Sequence, residues 1–323
     1  MKTLRSKFVE LISWPLDAVL AIAAIPSALA LLAYRRIGSA RLPRTTRLLK
    51  KIGVFPVRDH YYEPLFNDAH LRKPPSADRY LPGIELHKQA QLEFLGKLIY
   101  APELEQMQLD KHSAEPGRFS LNNGSFESGD AEFLYQFIRA IKPRTVIEIG
   151  SGNSTKIAKA ALDRNCADGG DKAAHICIEP FEMAWLEELG VQVVRKKVED
   201  CPLDWSRALG PGDLLFIDSS HVIRPQGDVL AEYLEIIPQL KSGVYVHVHD
   251  IFTPKDYLRS WLVEEVRFWN EQYLLEALLA NSTRYAIVAA LNFLRHCAYD
   301  DLKRVCPYLS ADREPGSFYF RIN

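Results

Sequence analysis

The sequence predicts an α/β fold, a mostly parallel sheet with helices on both faces, and three observations carry that expectation. Short apolar runs rich in β-branched residues recur at Thr145–Ile149, 175–178, 191–195, 213–218 and 243–250, the composition of strands buried on both faces. Helix-forming stretches follow several of them, 226–240 and 259–279 among these. The first run passes directly into Gly150-Ser151-Gly152-Asn153-Ser154-Thr155 and then KIAKAALDR, which is strand, glycine turn and helix start in the order a ligand-binding βαβ unit requires.

The chain of 323 residues exceeds one typical domain. A single sheet with helices on both faces absorbs more than about 200 residues, so one α/β domain with an N-terminal extension is expected. Hydrophobic residues make up 47% and charged residues 25%, near the globular averages, which excludes wholesale disorder and a polytopic membrane protein. Cys166, Cys177, Cys201, Cys297 and Cys306 form no CxxC pair and show no metal-ligand spacing, so they read as free thiols of a reducing compartment. The expected organisation is a membrane-associated segment over 1–52, a connector with a capping helix near 85–98 over 53–118, and the catalytic domain over 119–323. The polar, Pro- and Gly-containing stretch 110–117 marks the second boundary.

Net charge is −1, but residues 1–60 hold eleven Lys or Arg against Glu10, Asp17 and Asp59. Seven of those cations fall between Arg35 and Lys51 with no acid among them, the composition of a segment lying against anionic headgroups. Nucleic acid would attract the same charge, but the uncharged stretch AVLAIAAIPSALALLAY at 18–34 directly precedes it and favours a membrane. Its 17 residues sit at the lower limit for crossing a hydrocarbon core of about 30 Å. Pro26 removes one helical hydrogen bond, so a kinked span, a re-entrant hairpin and an in-plane helix all stay open. A cleaved signal peptide is opposed by Asp17 and by apolar residues that continue past Ala28-Leu29-Ala30 into Arg35-Arg36. The heavier basic flank follows the apolar run, which places the large C-terminal part at the inner face of the cytoplasmic membrane.

A glycine turn after a strand admits a ligand where no Cβ obstructs, at a helix N-terminus whose free amides attract negative groups. The dinucleotide fingerprint GxGxxG is not met, because Thr155 stands where its third glycine would be. With an acid inside the strand, Glu148-Ile149-Gly150-Ser151-Gly152 resembles the ExGxG first motif of class I S-adenosylmethionine-dependent methyltransferases. The resemblance implies a Rossmann-like methyltransferase fold with a seven-stranded, mostly parallel sheet, its last two strands supplied by 285–291 and 317–322. It also implies S-adenosyl-L-methionine as cofactor, with Glu148 orienting the ammonium group and Gly150, Ser151, Gly152, Asn153 and Ser154 lying against the ligand. Glu179, at the end of the second strand, matches the acid that accepts both ribose hydroxyls. Glu199, within Lys197-Val198-Glu199-Asp200, falls where the family contacts adenine.

Two more strand ends bear chemistry. FIDSSH ends the fourth strand in Asp218, with His221 three residues on, and VHVHD ends the fifth in His249-Asp250. Ligands of open α/β sheets gather at carboxyl strand ends, so these groups converge on one crevice that Asp218 shares with the cofactor; His247 shares a strand face with His249 by alternation. The set resembles metal-dependent O-methyltransferases of the catechol type and their relatives acting on sugars. By that resemblance Asp218, His249 and Asp250 hold Mg²⁺ or another divalent metal, and His221 is the base. A carboxylate is usual where His249 stands, a departure that leaves the metal's identity open. The same segments look like a broader bacterial methyltransferase family with an IDGxH-like segment ahead of a GGxxxxHD strand, and the resemblance covers about 119–323.

The expected reaction is methyl transfer to a hydroxyl oxygen of a saccharide or other small acceptor near the membrane, Asp218 and neutral His221 being the catalytic pair. Its partner is a small molecule or glycan, not nucleic acid, and loop 251–257 is expected to shape the acceptor pocket. Two rivals use the same residues. A metal-dependent oxygenase or hydrolase is opposed by the intact glycine turn. A non-catalytic membrane-associated protein is opposed by the joint presence of Glu148, Glu179, Asp218 and His221.

Overall fold

The computed structural model describes residues 4–60, 62–65, 68–111, 117–181 and 183–323, and most of the expected boundary at 110–117 lies outside these. The chain divides into two compact units, Met1–Arg72 and Lys73–Asn323. In the first, one helix, Leu4–Ile37, runs through both Pro15 and Pro26. Its part Pro15–Ile37 is long and apolar enough, by length and composition, to cross a membrane. A second helix, Pro43–Ile52, opens on a proline, whose missing N–H falls where no helical bond is needed. It stops at Gly53, which adopts φ +86° and donates its N–H to the carbonyls of Leu49 and Lys50. A 2.6 Å bond between the Tyr34 and Thr46 hydroxyls ties the two helices together.

The second unit holds the expected seven-stranded sheet: β1 (Thr145–Ile149), β2 (Ala174–Ile178), β3 (Gln192–Val194), β4 (Leu214–Ile217), β5 (Tyr245–Val248), β6 (Tyr285–Ala290) and β7 (Phe318–Ile322), in the order β3-β2-β1-β4-β5-β7-β6. β1 to β5 run parallel, and β7 is antiparallel to both β5 and β6. The order reverses between β1 and β4, where such sheets open a crevice at their carboxyl ends. Hydrogen bonding continues one residue past each strand: Gly150 N–H donates to Ile178 O at 3.0 Å, Asp218 N–H to Ile149 O at 2.8 Å, and His249 N–H to Ile217 O at 2.9 Å. Those bonds set the glycine turn, the aspartate and the histidine side by side.

Strand alternation divides the core in two. Leu214 and Phe216 face one cluster, where Phe133 and Phe137 of the helix Asp130–Ile141 and Ile157 of the helix Asn153–Ala167 are buried; Phe137 packs on Tyr319 of β7 at 4.6 Å. Leu215 and Ile217 face the other, with Val229, Ile236, Leu275 and Leu279. Each such side chain stabilises the fold by roughly 1.5–3 kcal/mol when fully buried, so the sheet is fixed from both faces.

Two helical expectations need correction. Stretch 226–240 is not one α-helix but Asp228–Ala231, a π-helical turn Glu232–Ile236 and a 3₁₀ turn Ile237–Gln239. Stretch 259–279 is broken into a π-helical turn Ser260–Glu264 and a helix Glu271–Leu279, with 265–270 non-helical between them. In the second stretch the cause is tertiary. Asn270 N–H donates to His221 O at 2.9 Å, and Asn270 Oδ1 accepts from Ile223 N–H at 2.6 Å, so groups near a helix start bond the loop after β4 instead. The helix expected near 85–98 is the shorter Lys88–Leu95, followed by Ala101–Met107.

Candidate functional site

A cavity of about 360 Å³ opens at the switch point, lined by Gly150, Glu179, Phe181, Glu199, Asp218 and Arg224 among others. Gly150 adopts φ +76°, and a Cβ there would lie 1.9 Å from the carbonyl oxygen of Asp218, so only glycine lets β1 and β4 close at this point. Gly152 has the opposite surroundings, since a Cβ would meet only Met183 Cε at 3.9 Å. Glu179 is held at the rim: Oε1 accepts from Phe181 N–H at 2.9 Å and Oε2 from Ser151 N–H at 3.4 Å. Of the residues expected to meet the cofactor, Gly150, Glu179, Glu199 and Asp218 line this cavity, while Ser151, Gly152 and Asn153 form the turn beside it.

Glu148 and Ser154 lie behind the cavity, both buried. The Glu148 carboxylate pairs with His175 Nε2 at 2.5 Å and accepts from the hydroxyls of Thr155 at 2.9 Å and Ser154 at 3.3 Å. It braces β1 against β2 and the following helix and presents no face to the cavity, where the sequence led us to expect an ammonium contact. The Thr155 hydroxyl also accepts from Gly152 N–H at 3.1 Å, a bond a glycine at that position would forgo.

Beside the cavity stands a polar cluster. Ligand atoms of Asp218, His221 and Asp250 lie within 4.8 Å of one another. His221 Nε2 is 3.3 Å from Asp218 and 3.6 Å from Asp250, and His249 Nδ1 is 3.5 Å and 3.4 Å from the same carboxylates. All four residues expected from the strand ends therefore meet. His247 shares the strand face but is withdrawn, stacked on Tyr319 at 4.1 Å. His221 and Asp250 both adopt φ +59°, a left-handed conformation that costs a non-glycine residue about 1 kcal/mol or more and concentrates at functional sites. Ser220 anchors the loop after β4, its N–H and hydroxyl donating to Asp228 at 3.0 and 2.7 Å.

Two residues that sequence reasoning missed complete the cluster. Glu271, fully buried, pairs with His221 Nδ1 at 2.8 Å and accepts from the Tyr233 hydroxyl at 3.0 Å. Asp130 lies 3.8 Å from His249 Nε2 while accepting from the N–H groups of Ser317 and Gly316. Each is an acid opening a helix, a pattern that by itself reads as a complement to the helix dipole.

Charge in this cluster is far from ordinary. Enclosure by protein would raise the Asp218 carboxyl, but His249 and His221 hold it well below the usual carboxylate range. Enclosure raises Asp250, with the neighbouring Asp218 and Asp130 adding to the effect against both histidines. Enclosure alone would depress His221 and His249; Asp218 and Glu271 at the first, and Asp250 and Asp218 at the second, outweigh it and hold both imidazoles protonated well above their usual range. Burial and the neighbouring His249 push His247 down, so it is neutral. Neither ring nitrogen of His249 has a hydrogen-bond partner. Two carboxylates with buried imidazoles beside them form a donor set that fits a divalent cation, whose charge would take the place of the imidazole protons.

Residues 147–251, from inside β1 to just past Asp250, match the family described as a methyltransferase domain. Over that segment, about a third of the chain, the protein is similar to methyltransferase domains. A protein of Archaeoglobus fulgidus described only as an uncharacterized protein is 28% identical over 188 residues, covering 54% of this chain and 83% of that one. Among solved structures, the plantazolicin methyltransferase BpumL in complex with SAH superposes with TM-score 0.36 at 13% identity, over 74% of this chain and 99% of that chain. The same enzyme with a pentazolic desmethylPZN analog and SAH gives TM-score 0.34 at 11% identity, over 73% and 98%.

Glu271 is the acid on which the cluster's internal order rests. Glu271→Ala strands His221 Nδ1 and the Tyr233 hydroxyl inside the protein and should destabilise it by about 1–3 kcal/mol. Glu271→Gln keeps an acceptor for one of them and should cost less. Urea unfolding midpoints of the two variants would check this order, and equal midpoints with the parent would refute it.

Proposed function

We propose that the methyltransferase domain moves a methyl group from S-adenosylmethionine to a hydroxyl oxygen of a saccharide or other small acceptor near the membrane, with a divalent cation held by Asp218, His249 and Asp250. One observation supports this above the rest: Asp218 belongs both to the cavity beside the glycine turn and to the histidine and carboxylate cluster, so an acceptor bound at the cluster lies next to the cavity. When bound, S-adenosylmethionine supplies a sulfonium methyl that an oxygen nucleophile takes by in-line displacement. A divalent cation would lower the pKa of a coordinated hydroxyl and offset the carboxylates around it.

The chain's own residues do the positioning. Glu179 grips the ribose, the turn from Gly150 to Ser154 offers backbone amides, and Glu199 borders the adenine. With a cation on Asp218 and Asp250 offsetting their charge, His221 would be neutral, Glu271 would keep its proton on Nδ1, and Nε2, directed at Asp218 and Asp250, would take the hydroxyl proton. The apolar helix part Pro15–Ile37 and the basic residues that follow it support attachment to the membrane with the methyltransferase domain on its cytoplasmic side.

Two measurements test this reading. Calorimetry should detect S-adenosylmethionine binding to the folded chain, and Glu179→Ala should weaken it about ten- to a hundredfold, as expected for hydrogen bonds to a charged group. A folded chain that binds none would end the proposal. Methyl incorporation from labelled cofactor should vanish with excess chelator and return with added Mg²⁺ or Mn²⁺; incorporation indifferent to chelator would remove the cation and leave the rest.

A further inference from the structure

We propose that the unit Met1–Arg72 holds a binding cleft for the phosphodiester head of an anionic membrane phospholipid, formed where the end of its apolar helix meets residues 56–60. The cleft measures about 560 Å³ and is lined by Ala28, Leu31, Leu32, Arg35 and Arg36 on one side and Pro56 to His60 on the other. That volume lies within the span of small-molecule sites, about 300–1,000 Å³.

Both walls run from apolar to cationic. Ala28, Leu31, Leu32, Arg35 and Arg36 recur at helical spacing, so they form one stripe whose greasy part leads into two guanidiniums. The facing wall passes from Pro56 and Val57 to Arg58. The two cationic ends meet, because Glu63 accepts from Arg35 and lies 3.4 Å from Arg58. Among the described residues that line the cleft or bond its arginines, three guanidiniums stand against two acids, Asp59 and Glu63, an excess of one positive charge that suits the single negative charge of a phosphodiester. The cleft also has an unmet demand: Arg35 Nε is buried without a hydrogen-bond partner, while the Arg35 guanidinium lies 5.0 Å from the centre of the Phe55 ring.

The chemistry of the stripe is that of an amphiphile. Leu31 and Leu32 lie on the membrane-spanning length of the helix, and Arg35 and Arg36 in its last turn, where cationic side chains reach the headgroup level. An acyl chain runs along the leucines and the phosphate sits among the arginines. Lys50 and Lys51, exposed on the neighbouring helix, attract an anionic surface in general but do not line the cleft.

The proposal rests on the membrane reading of the helix, and the experiment separates the two. The full chain carrying Leu31→Trp is reconstituted into phosphatidylcholine nanodiscs containing increasing mole fractions of phosphatidylglycerol brominated on its acyl chains, and tryptophan quenching is followed. Quenching should saturate, and the pair Arg36→Gln with Arg58→Gln should raise half-saturation about tenfold or more. Lys50→Gln with Lys51→Gln should shift it less than about threefold. Circular dichroism confirms that each variant keeps its helices. Quenching that rises without saturating, equal shifts from both pairs, or abolition of quenching by millimolar inorganic phosphate would each overturn the cleft, the last by revealing a site for soluble anions. A chain that never enters the bilayer refutes the membrane reading itself.

Discussion

Asp218→Ala should lower methyl incorporation about a thousandfold or more while the chain still binds S-adenosylmethionine within a few-fold of its parent affinity. The asymmetry follows from where the carboxylate stands. It is the shared neighbour of both imidazoles, 3.3 Å from His221 Nε2 and 3.5 Å from His249 Nδ1, so its removal takes away a cation ligand and the partner of the base in one change. Cofactor retention is expected because Gly150 and Glu179 keep their places: the bond that closes β4 on β1 comes from the Asp218 backbone N–H, which alanine preserves. Labelled methyl transfer and calorimetry on the same preparation decide the matter. Unchanged turnover would displace the chemistry from this cluster, and parallel loss of turnover and cofactor binding would make Asp218 a cofactor ligand instead.

The parts of this site that the sequence announces are those fixed by strand register. A buried parallel strand is a continuous apolar run, so a polar residue at its carboxyl end stands out, and neighbouring strand ends must converge; Asp218, His249 and Asp250 were legible for that reason. Glu271 was not, because it comes from a helix 50 residues beyond His221 whose approach is set by packing rather than by pattern. The same packing broke the expected helix over 259–279: the bonds of Asn270 to the His221 loop are invisible to periodicity. Glu148 lies between these cases. Its place in the motif was plain, but its direction follows from alternation, which puts it on the side of Val146, toward the helix Asn153–Ala167, while Ile147 and Ile149 face the other core.

The glycine turn yields the largest structural effect. Gly150→Ala should destabilise the methyltransferase domain by more than about 4 kcal/mol, in the range reserved for forced backbone rearrangement. The added Cβ would lie 1.9 Å from the Asp218 carbonyl oxygen and 2.8 Å from its carbon, and these are backbone atoms that cannot rotate aside. Left-handed backbone at φ +76° adds about 1 kcal/mol for any residue with a Cβ. Relief requires the ends of β1 and β4 to part, which breaks the 2.8 Å bond from Asp218 N–H to Ile149 O and opens the crevice from below. Gly152→Ala is the informative contrast. Gly152 has extended backbone at φ −171°, and its Cβ would meet only Met183 Cε at 3.9 Å, so this variant should fold within about 1 kcal/mol of the parent. Because that Cβ would project from the turn where the ligand's backbone contacts are proposed, cofactor binding should weaken instead. Thermal unfolding measured with and without S-adenosylmethionine separates the two glycines: one variant melts early in both conditions, the other loses only the shift that the cofactor brings. A Gly150→Ala protein that melted with the parent would mean that β1 and β4 are not closed at this point, and the shared position of Asp218 between cavity and cluster would have to be given up.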